Sequence, residues 1–116
     1  MTAQTRIKHG ACALLFAAVV MNSGCSTVQV GRDFDLNAFD QQVQRGTTTQ
    51  DQIQALLGRP TGTGVAVESN GERFTEWTYY FASGRLPNMP DAKVKYLQVR
   101  FDQQGVVQAY SWSGEK

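Results

Sequence analysis

The chain is 116 residues long, with 11 Lys and Arg against 10 Asp and Glu, a single histidine and two cysteines. That length builds one small domain with a modest core and is too short for two. A charge this close to balance argues against a nucleic-acid partner, because a phosphate backbone selects clustered Lys and Arg.

At the amino terminus Arg6, Lys8 and His9 precede an apolar run from Ala11 to Met21, followed by Asn22-Ser23-Gly24 and Cys25. A basic start, a short apolar middle and small residues at the exit predict a secretory signal peptide over residues 1–24. The run falls short of the about 20 apolar residues that a spanning helix needs. The cysteine after Ser23-Gly24 resembles the lipobox of bacterial lipoproteins, where it is acylated and becomes the first mature residue. Asn22 stands where lipoboxes carry Leu, Val or Ile. The alternative is an ordinary signal peptide with a chance cysteine. On the lipoprotein reading Cys25 is the lipidation site and the membrane is engaged through it. Cleavage removes Cys12, His9, Arg6 and Lys8, leaving nine basic and ten acidic groups and no free thiol. A small exported domain without disulfides is held by packing alone.

Residues 26–35 have no helical period, and 25–35 read as a tether. Asp33, Asp35 and Asn37 begin like a calcium loop, but Ala38 replaces its glycine and Gln44 its final glutamate. They fit a helix start better. Leu36, Phe39 and Val43 lie on one stripe of a short helix, with Gly46 placed to cap it. Thr49 and Gln52 have capping-box spacing, and Ile53, Leu56 and Leu57 form the second helix's apolar face. Gly58 and Pro60 stop that helix.

Strands follow. Residues 62–68 predict a weak strand, and Asn70-Gly71 is a strong hairpin signal. Residues 73–82, RFTEWTYYFA, are a clear strand; 83–92, with Gly84, Pro87 and Pro90, read as a loop. Residues 93–102 and 106–113 complete the set around Gly105. The expected fold is α+β: two short N-terminal helices packed on one face of a three- to four-stranded antiparallel sheet, the domain spanning residues 36–113.

Side chains alternate between the faces of a strand, so parity sorts them. Trp77, Tyr79 and Phe81 share a face, as do Leu97, Val99 and Phe101, and these are expected to meet the helices, with Val107 and Ala109 continuing the set. The opposite face then carries Tyr80, Tyr96, Tyr110 and Trp112 among Thr78, Gln98, Arg100 and Gln108. Two readings of these four aromatics stand side by side: mutual shielding across the ladder, or docking of a protein partner. A bulge in any strand would swap the faces.

The residues offer no catalytic constellation. The histidine and both thiols are lost or acylated on maturation, which excludes nucleophile–His–acid, cysteine-based and histidine-rich zinc chemistry. Glu68, Glu72 and Glu76 flank a hairpin turn and read as solvated charges. GRPTGTG, residues 58–64, lacks the Lys-Ser/Thr of a phosphate loop and follows a helix instead of opening one. No cofactor, metal or small-molecule substrate is expected.

A glycine, a Thr-capped helix ending in Leu-Gly-x-Pro, a Trp-x-Tyr-x-Phe strand and a Phe-Asp-x-x-Gly-Val hairpin, in that order, resemble the SmpA/OmlA (BamE-like) family of outer-membrane lipoproteins. The matching pieces are Gly46, Thr49–Pro60, Trp77–Phe81 and Phe101–Val106, within about residues 36–113. The family reads Gly-Met-Thr before the second helix; here Gly46-Thr47-Thr48-Thr49 adds a residue and lacks the Met. The resemblance implies a non-catalytic scaffold of envelope biogenesis, with barrel-assembly subunits or other envelope proteins as partners. It also implies an envelope-stress lipoprotein of the same shape as an alternative. Trp77 matches a family position and is carried over as an interface residue. Ser26 after the lipidated cysteine implies sorting to the outer membrane, facing the periplasm. A reading from another class is a periplasmic inhibitor module, like the α+β β-lactamase inhibitory proteins.

Overall fold

The computed structural model describes residues 26–116; the segment expected to be a signal peptide, residues 1–24, and the expected lipidation site Cys25 lie outside the described residues. Helix α1 (Leu36–Gln42) begins where the Asp35 carboxylate accepts the Ala38 N–H at 2.9 Å. The Asp-rich stretch thus yields a helix cap, as its sequence favours. The helix stops at Gln42, and Val43 is already extended. Gly46 is therefore not its cap, contrary to expectation. The Gln44 N–H instead donates to Thr48 Oγ1 at 2.8 Å, a side-chain bond that competes with another helical turn. Gly46 donates its own N–H to the Val107 carbonyl at 2.8 Å.

Helix α2 (Gln50–Leu57) carries the expected capping box. Thr49 Oγ1 accepts the Gln52 N–H at 3.3 Å, and Gln52 Oε1 accepts the Thr49 N–H at 3.0 Å. Gly58 ends it at φ +81°, a conformation that costs glycine little. Both helices are too short to persist alone, so tertiary packing must hold them.

The sheet has five antiparallel strands: β1 (Thr27–Gly31), β2 (Gly62–Val67), β3 (Arg73–Arg85), β4 (Lys93–Phe101) and β5 (Val107–Gly114). Its order is β1-β3-β4-β5, and β2 shares with β1 the same edge of β3. β2 pairs with Arg73–Thr78 and β1 with Phe81–Arg85. The α+β class holds, with one strand more than expected.

The added strand corrects the reading of residues 27–31 as tether. All five of its residues are exposed, so no burial pattern marks it in the sequence. It exists because β3 runs on through Ser83–Arg85, which read as loop, and offers a backbone edge for pairing. At its exit Gly31 has φ +74° and lies so close to the Tyr80 carbonyl that a Cβ would collide. Only glycine fits there.

Leu36 and Phe39 of α1, Ile53 and Leu57 of α2, and Phe34 pack on Tyr79, Phe81, Leu97, Val99, Phe101 and Val107. Each large side chain withdrawn from water contributes roughly 1.5–3 kcal/mol. The parity reading of β3 and β4 is borne out. Val43, Leu56 and Trp77 pack at the margin of this core. Thr49 and Val106 form a bridge, and the Gln50 N–H donates to the Gly105 carbonyl at 2.9 Å, stitching the helix–helix loop to the β4–β5 turn.

Candidate protein-interaction surface

Tyr80 and Tyr96 sit directly opposite each other on β3 and β4, on the face away from the helices. Both are half-buried. No described element covers that face. The adjacent row places Val30 of β1 beside Ala82, and Ala82 beside Val94 of β4. Val30 and Val94 are about half exposed, at 52% and 50%.

Tyr110 and Trp112 are not on this face, and the fourfold aromatic patch is corrected to a pair. Phe101 pairs with Val107, but Arg100 pairs with Ala109, so β5 advances two residues for one of β4. Gln108 is the extra residue of this bulge. Beyond it every side chain of β5 changes face. Tyr110 comes opposite Val99 and Trp112 opposite Leu97, on the helix side. Ala109, expected inward, lies outward opposite Arg100 and is exposed, while Val107 is buried as expected.

The relocated aromatics border α1. Tyr110 packs edge-on against Phe39, with ring centroids 5.2 Å apart. Lys116 Nζ stands 4.5 Å from the centre of the Trp112 ring and 2.6 Å from the Asp40 carboxylate. Trp77 faces inward, its ring 4.9 Å from that of Phe101 at 65°. Its position is that of a core-margin residue.

Charge on the outer face collects at the end remote from β1. Arg100 donates to Glu68 at 2.6 Å and to Glu76 at 3.1 Å, and its guanidinium lies 5.5 Å from the Phe74 ring centre. Two of the three glutamates near the hairpin turn are therefore held by one arginine. The outer face grades from this ion-pair cluster, through the tyrosines, to the exposed valines of β1 and β4.

Elsewhere the ionisable groups serve packing. Asp33 accepts from Lys95 Nζ at 2.9 Å, which holds its carboxyl below the usual carboxylate range against some desolvation. The same ammonium donates to the Phe34 carbonyl at 3.1 Å. Burial pushes the Tyr79 phenol up to about 12, against a minor opposing pull from Arg32, and its hydroxyl donates to the Gly58 carbonyl at 2.8 Å. Among the described residues no His, Cys, Asp and Glu gather in a group able to hold a metal ion.

Val28, Val30 and Val94 were missed in the sequence. Val94 shares the parity of Tyr96 and could have been found by it. Val28 and Val30 alternate in TVQVG, but the period covers five residues and acquires meaning only beside β3. The Gly46–Thr49 loop borders a shallow hollow of about 510 Å³ between the helices, lined by Val43, Thr47, Thr48, Ile53 and Leu56 among others. Thr48 is buried there, while Gly46 and Thr47 beside it are exposed.

Among curated proteins and among solved structures, nothing matches the chain. Residues 40–111, from within α1 to the second half of β5, match the domain described as outer membrane protein assembly factor BamE. Spanning more than half of the chain and both layers of the fold, that match establishes that this protein belongs to the BamE family of outer-membrane assembly factors.

Proposed function

We propose that this chain is a non-catalytic scaffold subunit, anchored by lipid on Cys25 to the periplasmic face of the outer membrane. There its open sheet face docks on an envelope protein, with barrel-assembly subunits as the leading candidates. The observation that carries the reading is the Tyr80–Tyr96 pair on a sheet face that no described element covers. Tyr is enriched at interfaces because it offers a large rigid apolar surface with a polar tip. A half-buried pair needs only a complementary surface to complete its burial. Family membership supports an assembly role for that surface.

Affinity capture from solubilised envelopes tests the docking. The wild-type chain is expected to retain a barrel-assembly subunit or another envelope protein, and the double variant Tyr80→Ala, Tyr96→Ala to lose it with an unchanged far-ultraviolet spectrum. Equal capture by both proteins would discard this face as the interface. Globomycin treatment with mass spectrometry of Cys25 tests the anchor: an unacylated, freely soluble mature chain would favour the inhibitor reading instead.

A further inference from the structure

We propose that the end of the sheet nearest the anchor rests directly on the lipid bilayer, with Leu86 and Val28 in the headgroup boundary. The inference depends on acylation of Cys25 and goes beyond it. A lipid anchor alone fixes no orientation; the absence of a spacer does.

Ser26, the residue after Cys25, is already part of the fold. Its carbonyl accepts the Leu86 N–H at 3.2 Å, and β1 begins at the next residue. β1 is in turn held along its length by β3, with Thr27 opposite Arg85 and Val28 opposite Gly84. One residue of chain spans at most about 3.3–3.6 Å, so acyl chains on Cys25 bring this end of the sheet to the membrane surface.

The side chains at that end suit a bilayer. Leu86 is 53% exposed, and Val28, on the outer face, is 37% exposed. A shallow hollow of about 340 Å³ opens beside them, lined by Ser26, Thr27, Arg85, Leu86, Pro87, Asn88 and Pro90. Exposed Arg85 and Lys93 stand at the same end, where long cationic side chains keep their charge at headgroup level while their stems lie along apolar surface. Arg85 is paired with Asp91 at 3.1 Å, so the attraction to the membrane rests mainly on apolar burial.

The opposite end makes the comparison decisive. The Asn70-Gly71 turn lies beyond the far end of β3, a strand of 13 residues. At about 3.3 Å per residue that strand holds the turn roughly 40 Å from the bilayer. Tyr80 and Tyr96 fall between the two ends, clear of lipid and open to a protein. Anchor and partner face would then be used together without competing.

The test uses the full mature lipoprotein in phosphatidylcholine vesicles, with an environment-sensitive fluorophore on Leu86→Cys, Val28→Cys or Asn70→Cys. Mass spectrometry first establishes acylation of Cys25. Lipids brominated near the headgroup are expected to quench the probe at 86 and 28 at least about twofold more than at 70, as for groups about 5–10 Å into the headgroup boundary. A Gly-Ser spacer inserted between Cys25 and Ser26 is expected to abolish the difference. Acylated protein with equal quenching at all three positions would overturn the docked orientation and leave the anchor standing. An unacylated Cys25 would remove both. Protection at 86 and 28 that followed protein density, and not brominated lipid, would assign this end to a second copy and overturn the bilayer as its occupant.

Discussion

Tyr110 meets Phe39 edge-on, the ring planes at 87° and the centroids 5.2 Å apart. This contact joins the last strand to the first helix across most of the chain's length. It exists only because Gln108 is inserted into β5 as a bulge, which turns Tyr110 toward α1.

Tyr110→Ala is therefore expected to lower stability by about 1–2 kcal/mol, from the aromatic pair and part of the ring's burial. Tyr96→Ala, losing a cross-strand pair on the open face, is expected to cost less than about 1 kcal/mol. Urea unfolding of the two variants separates them. Equal losses would mean that both rings lie in the same environment.

Phe101 pairs with Val107 in the sheet and stacks edge-on with Trp77 at 4.9 Å. Phe101→Ala should cost about 3–5 kcal/mol, and Leu97→Ala about 2–5 kcal/mol, through lost transfer energy and residual cavity. Trp77 fluorescence provides a second readout. In Phe101→Ala its emission is expected to shift to longer wavelength as water reaches the ring, while in Leu97→Ala it stays nearer the wild type.

The capping box at α2 is a local device with a local signature. Thr49→Ala is expected to cost about 1 kcal/mol and Thr49→Ser much less, since serine keeps the hydroxyl. Hydrogen exchange should accelerate at the Gln52 amide, whose acceptor is Thr49 Oγ1. If exchange were unchanged there, the cap would not be formed in solution.

Tyr79 gives the fold an alkaline limit. Its folded value of about 12 exceeds the ordinary phenol value of 10, so its contribution is complete below 10 and is lost as pH rises through about 12. The loss is on the order of 2–3 kcal/mol. Tyr79→Phe removes this pH dependence, and with it the bond to the Gly58 carbonyl, for about 0.5–1.5 kcal/mol at neutral pH. Thermal melts of both proteins between pH 8 and 12 check the sign.

Asp33 acts at the other limit. The hydrogen bond from Lys95 is the largest of the effects lowering its folded value below the ordinary 3.8. Its contribution is present above that ordinary value and fades as pH falls through the lower one. Asp33→Asn is expected to flatten the acid limb of the stability profile without touching the alkaline limb, and acid titrations followed by circular dichroism check this.

Local chemistry alone determined a good deal. The helix start near Asp33–Asn37, the caps at Thr49 and Gly58, the hairpin at Asn70-Gly71, and the inward sets Trp77-Tyr79-Phe81 and Leu97-Val99-Phe101 are properties of a few neighbouring residues and are legible in the sequence; that Asp35 is the residue that caps α1 is seen only in the fold. The order of these elements was enough to indicate the family. Tertiary structure decided what depends on a partner distant in the chain. β1 is a strand only because β3 runs long enough to pair with it, and its own exposed side chains carry no burial signal. Tyr110 and Trp112 changed face because one added residue in β5 reverses every later side chain, and alternation within a strand cannot reveal which residue its neighbour skips. The open face was therefore expected to hold four aromatics and holds two, Tyr80 and Tyr96, beside valines contributed by strands from both edges of β3.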